Sequence, residues 1–437
     1  QIAAVWSSWL ALQRRQLRWS ILAGAIAGIA FNVKLAESLI VLPALVLLWA
    51  WAAPARKRAL ALFASLATFL IIALSWALIA SLTPSGQRPF PIGSKNGSIW
   101  HTILIYDGLD RVSGHGVVGT GSGTPGDGPG VLRLLSASGP SAYGTLIGLA
   151  VLATVLLGAL AFAVGAPQRL RELSRSPQGR LAIGLIVWFL CGVIFFSFMR
   201  RLQMRYLEAL APPLCACLAL ALVAITKDDR RIASWALAGL SCALGAYVLE
   251  LANGPGFWTI LALVGLAVAL ITALLRSRAA TARRSLILIS SLLVGLIAVP
   301  LGEDLDLIAH HGSDSVLNEP TNRALSHYLA AHNHGVRFEI ASANVYDVTG
   351  MVTRDDHPLI MLNDVDGELE RVHQLQAQVL AGEVRFYFAA HGCSSGRHCP
   401  GNERWAYAHS VPVTHYPGLR RFDLKTAGTQ APQPNAR

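Results

Sequence analysis

LRWSILAGAIAGIAFNVKLAESLIVLPALVLLWAWAAPARKRALALFASLATFLIIALSWALIASL, residues 17–82, holds three long apolar runs, 19–33, 36–52 and 59–82. The first gap is only Lys34-Leu35 and the second holds the basic Arg56-Lys57-Arg58. Runs of about 20 apolar residues match the thickness of a bilayer core, where the backbone satisfies itself as a helix or a closed barrel. Six further runs, 143–166, 181–199, 207–226, 232–252, 257–275 and 285–302, repeat the pattern. Residues 3–12 read as the end of another helix. The sequence therefore predicts a polytopic α-helical membrane protein with nine to ten spans.

Composition agrees. Hydrophobic residues make up 53%, charged residues 14%, and mean hydropathy is +0.48, values that exclude an ordinary soluble domain. The net charge of +11 sits in clusters. Arg14, Arg15 and Arg18, then Arg56, Lys57 and Arg58, then Arg169, Arg171, Arg175 and Arg180, then Lys227, Arg230 and Arg231, then Arg276, Arg278, Arg283 and Arg284 occupy every second gap. Alternating helices put all of these on one side, which the positive-inside rule makes cytoplasmic. No basic run is interleaved with aromatics, so nucleic acid is not an expected partner. The expected location is the plasma membrane, with loop 83–142, turn 200–206 and everything after Gly302 outside. Gln1 lies within an apolar run, and the chain reads as a fragment lacking its N-terminal part.

Residues 1–302 are the expected transmembrane domain, 303–321 a linker, 322–425 a small extracytoplasmic α/β domain, and 426–437 a disordered tail. In the α/β part, short apolar runs (RFEIAS, PLIMLN, VRFYFAA, VPVTHY, RRFDL) alternate with GELERVHQLQAQVLAG and NERWAYAHS. That pattern predicts a largely parallel sheet. Cys393 and Cys399, in CSSGRHC, are expected to form a disulfide outside the cytoplasm. A metal site from His391, Cys393, His398 and Cys399 is the alternative, with a spacing that matches no common zinc pattern. No metal or nucleotide is implied elsewhere.

Three places carry candidate chemistry. MRRLQMRYLEALAPP, residues 199–213, puts Arg200, Arg201 and Arg205 on the outer side, against the charge bias. Arg201, Arg205 and Glu208 share a face of an α-helix, and a guanidinium fork suits phosphate oxygens. Snorkelling to lipid headgroups is the plainer reading. Pro212 and Pro213 are expected to kink that helix and open space beneath it. Lys34 and Glu37 stand at the outer end of the first span, either as an i, i+3 pair or as part of a lipid-phosphate or acceptor site. In the long loop, Arg88, Lys95, Asn96, Asp107, Asp110 and Arg111 lie near Tyr106 and Trp100 in sequence, a mixture of amides, charges and rings that suits sugars. Asp107 or Asp110 could serve as a general base. IWHTILIYDGLDRV, residues 99–112, reads as a short amphipathic helix along the membrane surface.

GIAFNVKLAESLIVLPAL, SLTPSGQRPFPIGSKNGSIWHTILIYDGLDR, GPGVLRLLS, RYLEALAPP and GEVRFYF, in this order, resemble bacterial family-39-type glycosyltransferases. These are GT-C membrane enzymes of the protein-mannosyltransferase and lipid A aminoarabinose-transferase superfamily, and the actinobacterial branch with an extracytoplasmic C-terminal domain is the nearest in pattern. The resemblance implies inverting transfer of a sugar from a polyprenyl-phosphate donor to a cell-envelope acceptor. It places Arg200, Arg201, Arg205, Tyr206 and Lys34 at the donor phosphate, and Arg88, Lys95, Asn96, Tyr106, Asp107, Asp110, Arg111 and Glu37 at the sugar or acceptor. It puts the catalytic Asp in an external loop ahead of Gln1. The family pattern reads closer to YNGLGR where this chain has YDGLDR, and many relatives carry a His-Pro-Tyr-Tyr-like run at 203–206. A transporter of lipid-linked glycans and a membrane scaffold for the external domain are the alternatives.

Overall fold

A computed structural model gives the fold. It describes residues 1–84, 87, 91, 94, 97–113, 129–136, 147–159, 175–200, 202, 204–226, 231–251, 256–275, 282–309, 319–343, 348, 350–351, 354–355, 357–364, 367–389 and 400–428. The chain divides into two compact units. The first comprises Gln1–Thr83, Ile103–His115 and Gly119–Asp306, and the second Pro84–Thr102, Gly116–Val118 and Leu307–Arg437.

The first unit is helical. Among the described residues, seven stretches are long and apolar enough to cross a membrane: Leu17–Ala52, Ala55–Leu82, Pro177–Phe198, Tyr206–Ala224, Ala233–Leu251, Phe257–Leu274 and Arg283–Leu305. The protein is a polytopic helical membrane protein. Of the expected run 143–166, the described part is the shorter apolar helix Leu149–Ala159. The helices are α1 (Ile2–Arg14), α2 (Leu17–Lys34), α3 (Leu42–Ala52), α4 (Arg58–Leu82), α5 (Leu149–Ala159), α6 (Pro177–Phe198), α7 (Ala211–Thr226), α8 (Arg231–Leu251), α9 (Phe257–Leu274) and α10 (Ala282–Ala309).

Residues 17–52 are helical almost throughout, yet the chain reverses inside them. Leu35 has φ 41° and ψ −127°, a conformation that crowds its Cβ, and a seven-residue 3₁₀-helix, Leu35–Val41, follows. Close contacts fix the directions. A Cβ on Gly24 would lie 2.3 Å from the Ser65 carbonyl oxygen, and one on Gly28 would lie 2.8 Å from that of Phe69. The Asn32 side-chain amide donates to the Ile72 carbonyl at 2.9 Å. Contacts therefore climb α2 and α4 together, so these helices run parallel, and α3 must return between them. Glycines four apart let the two backbones approach this closely, which is the main source of helix association in lipid. In α3, Trp49 donates its indole N–H to Ser8 Oγ at 3.1 Å. The hydroxyl in turn donates to the Ala4 carbonyl, so neither buried polar group is stranded.

Gly184 of α6 packs on Leu48 and Gly192 on Leu210 and Ile40, so α6 runs opposite to the 35–52 return. The Arg180 guanidinium donates to the Trp51 carbonyl at 3.0 Å. The basic segments at 14–18, 56–58 and 180 thus gather at one end of the bundle. Lys34, Thr83 and Arg200 are at the other.

In the second unit, a five-stranded sheet of order β2-β1-β5-β7-β6 uses β1 (Ala341–Ser342), β2 (Ile360–Met361), β5 (Phe386–Phe388), β6 (Ser410–Pro412) and β7 (Leu419–Phe422). β3 (Asn363–Asp364) and β4 (Gly367–Glu368) form a separate antiparallel pair. The helices are α11 (Glu319–His332), α12 (Val372–Leu380) and α13 (Gly401–Ala408), with a final turn at Leu424–Ala427. The sheet is mixed, not largely parallel. β1 pairs parallel with β2 and β5, while β7 pairs antiparallel with β5 and β6. The reason is local: only six residues separate β6 from β7, enough for a reversal and too few for a crossover. Tyr387, Leu375, Val379, Trp405 and Phe422 fill one face of the core, and Leu325, Leu329, Ile340, Phe386 and Leu419 fill the other.

Candidate functional site

Two seven-residue 3₁₀-helices stand side by side at the end of the bundle that carries Lys34. Both precede a proline-started helix: Leu35–Val41 leads to Pro43, and Met204–Leu210 to Pro212 and Pro213. A proline has no N–H to return to the carbonyl four residues back, so the turn before it loses its α-helical bonds. Two expectations are corrected here. Pro212 and Pro213 lie in the first turn of α7, where they start the helix and do not kink it. Positions 205 and 208 lie in a 3₁₀-helix and not in the expected α-helix, and its three residues per turn align them; position 201 lies outside the described residues.

The expected amphipathic helix at 99–112 is also different. Residues His101–Leu109 form a π-helix, continued by one α-turn at Asp110–Ser113. π-Helical geometry is rare and recurs at functional sites. The wider turn directs Asp107 back to the chain reversal, where its Oδ2 accepts the Ala36 N–H at 3.1 Å. The carboxylate thus meets the N-terminus of the first 3₁₀-helix, the end that favours negative charge.

Arg111 is buried at 7% exposure, although a guanidinium is costly to remove from water. Its Nε lies 3.8 Å from Asp107 Oδ1, and its guanidinium lies 4.7 Å from the Tyr106 ring centroid and 5.6 Å from that of Tyr206. Its carbonyl accepts the Arg200 N–H at 3.0 Å. Arg111 is therefore held among two rings and a carboxylate, and it joins the π-helix to the 200–206 turn. Asp110 beside it is buried.

Lys34 Nζ lies 3.4 Å from Glu37 Oε2 and 3.9 Å from Glu208 Oε2. The expected i, i+3 pair is present, with a third partner from the second 3₁₀-helix. Lys34 is 40% exposed and Glu208 74% exposed in their side chains. Solvent screening leaves such pairs at about 0–1 kcal/mol, whereas a charged hydrogen bond to phosphate contributes about 1.5–3 kcal/mol. An arriving phosphate would outbid Glu208 for the ammonium.

The structure thus brings together Lys34, Glu37, Tyr106, Asp107, Arg111, Tyr206 and Glu208, with the exposed Arg200 beside them. Arg88, Lys95, Asn96 and Arg201, the Arg205 side chain, and Cys393 and Cys399 with His391 and His398 lie outside the described residues. Among the described residues, no group of three or more His, Cys, Asp or Glu is placed to hold a metal ion. The residue reasoning missed is Arg133, buried at 7% exposure, whose guanidinium donates to the Met199 carbonyl. A lone base inside the apolar run VLRLLS was the available signal.

Two curated proteins of Bacillus subtilis (strain 168) are similar to part of the chain. "Putative mannosyltransferase YkcB" is 31% identical over 126 residues, 28% of this chain and 18% of that protein. "Putative mannosyltransferase YycA" is 32% identical over 106 residues, 24% of this chain and 16% of that protein. The match thus spans less than a fifth of the length of either relative. No family model and no solved structure matches the chain.

Proposed function

We propose that this chain belongs to a membrane glycosyltransferase of the GT-C, family-39 type, which moves a sugar from a polyprenyl-phosphate donor to a cell-envelope acceptor on the outer face of the plasma membrane. The observation that carries the reading is the cluster at one end of the bundle, in a chain partly similar to two proteins named as mannosyltransferases. A polyprenyl donor keeps its tail in lipid and offers its phosphate and sugar at the membrane surface. Lys34 and the 200–206 turn lie at the end of the bundle away from the basic segments, the end the charge bias makes external.

In this reading an acceptor hydroxyl attacks the anomeric carbon from the face opposite the phosphate, and its proton passes to a carboxylate base. The bond from the anomeric carbon to the phosphate oxygen breaks, and the polyprenyl phosphate leaves with the electron pair. Lys34, Arg200, Arg201 and Arg205 stabilise the charge that grows on the leaving group, and Tyr206 donates beside them. Glu37, Tyr106, Asp107, Asp110 and Arg111, with Arg88, Lys95 and Asn96, shape the sugar and acceptor side. Asp107 is already bonded to the Ala36 amide, which suits it to holding the site's shape. The external α/β domain stands on the acceptor's side of the membrane.

The test is transfer by the natural full-length protein in lipid nanodiscs, with polyprenyl-phosphate mannose as donor. Lys34→Ala should lower turnover about tenfold to a hundredfold, the loss of one charged phosphate contact. A protein that transfers no sugar from this donor, yet moves lipid-linked glycans across vesicles, would be a transporter.

A further inference from the structure

We infer that Arg133 is a positioning residue: with the strap formed by residues 130–135 it fixes the end of α6 and the turn that follows, and so sets the donor-phosphate side of the site. The inference rests on the transferase reading above and adds a residue to it.

Three hydrogen bonds tie the strap across the bundle. The Gly130 N–H donates to the Ser197 carbonyl at 2.9 Å, the Arg133 guanidinium donates to the Met199 carbonyl, and the Tyr247 hydroxyl donates to the Leu135 carbonyl at 2.9 Å. Ser197 and Met199 lie at the C-terminal end of α6, where carbonyls have no helical donor left. A cation there also complements the helix dipole. Met199 is the residue before Arg200, so the carbonyl that Arg133 holds belongs to the peptide that starts the 200–206 turn. From the other side, the Arg111 carbonyl holds the Arg200 amide. That one peptide link is thus gripped at its oxygen by Arg133 and at its nitrogen by Arg111.

Burial makes the choice of residue informative. Leu134 and Met199 around this contact are buried, and a guanidinium among them is expensive where a leucine would pack without desolvation cost. A short neutral donor would not span two segments 66 residues apart in sequence and still present a planar fork to a carbonyl. Tyr247 anchors the far end tightly: a Cβ on Gly148 would lie 2.2 Å from its hydroxyl oxygen, so α5 begins against that bond. Arg133 itself contacts the peptide that positions the basic turn, so its effect on transfer is through Arg200 and its neighbours.

The experiment compares wild type, Arg133→Ala, Arg133→Lys and Tyr247→Phe as full-length protein in nanodiscs. It measures kcat, KM for polyprenyl-phosphate mannose, KM for acceptor, and hydrogen exchange at amides 199–206. Arg133→Ala should raise the donor KM about tenfold and speed exchange at 199–206, with the acceptor KM unchanged. Arg133→Lys should recover part of the donor KM, and Tyr247→Phe should shift it in the same direction by less. A folded Arg133→Ala, or Tyr247→Phe if the former does not fold, that keeps the wild-type donor KM overturns the inference and leaves Arg133 a helix cap. If wild type transfers nothing from this donor, the transferase reading fails; the exchange data then decide separately, faster exchange keeping Arg133 as the clamp of the turn and unchanged exchange removing it.

Discussion

Glu339 offers the sharpest test of the second unit. It stands just before β1 at 7% exposure, next to Asp355, whose Oδ1 accepts from Ser326 at 2.6 Å. Burial, and then the neighbouring Asp355 carboxylate, push the Glu339 carboxyl up from 4.5 to about 7. Between pH 4.5 and pH 7 the folded chain keeps a proton that the unfolded chain has released. Unfolding then frees a proton, so stability falls as pH rises through this window and is flat above it. At about 1.4 kcal/mol for each pH unit the loss reaches at most about 3 kcal/mol, spread over the Glu339–Asp355 pair. Glu339→Gln removes the titration and keeps an amide that can donate to Asp355. The variant should match wild type near pH 4.5 and be more stable by up to about 3 kcal/mol at pH 8. Hydrogen exchange of the β1 and β5 amides in the full chain, corrected for intrinsic rates, reads this directly. Wild type and Glu339→Gln showing the same pH slope, or wild type gaining stability from pH 5 to 7, would refute the reasoning.

Two further perturbations probe the membrane unit. Gly24→Leu places a side chain where even a Cβ sits 2.3 Å from the Ser65 carbonyl, so α2 and α4 must part; a loss of more than about 3 kcal/mol is expected, with Gly24→Ala costing about 1–3 kcal/mol, measured by denaturant unfolding in detergent. Arg111→Ala removes a buried guanidinium that lies against Asp107, Tyr106 and Tyr206 and should destabilise by about 1–3 kcal/mol, while Arg111→Lys keeps the charge and should cost less than half as much; equal losses by thermal unfolding would mean that shape, not charge, is what Arg111 supplies.

Much of this architecture was legible because lipid imposes one pattern on the chain. Apolar length marks the spans, and charge bias sorts their ends, as the meeting of Arg180 with the Trp51 carbonyl illustrates. The Lys34–Glu37 pair followed from spacing alone. What stayed hidden were departures from α-helical geometry. Leu35–Val41 and Met204–Leu210 read as ordinary helix, yet a proline just downstream removes the donors that an α-turn needs. The π-helix at His101–Leu109 has no composition of its own, so the face that Asp107 occupies could not be assigned from a 3.6-residue period. The short β6–β7 connection, by contrast, held enough information to forbid a parallel pair, and the alternation of elements alone concealed it.

These departures share a location. The positive φ of Leu35, both 3₁₀-helices and the π-helix all supply residues to the cluster at Lys34, Asp107 and Tyr206. A leucine at positive φ costs on the order of 1–3 kcal/mol and persists only where surrounding contacts determine it. Here those contacts are the Asp107 bond to Ala36, the Lys34 pairs and the packing of the return on α6. Regular helices would carry each backbone group to a partner within its own segment. Where that regularity breaks, amides and carbonyls become free to bond between segments, as the Ala36, Arg200 and Met199 peptides do. The spans hold the bundle in lipid, and their irregular ends gather polar groups at one end of it.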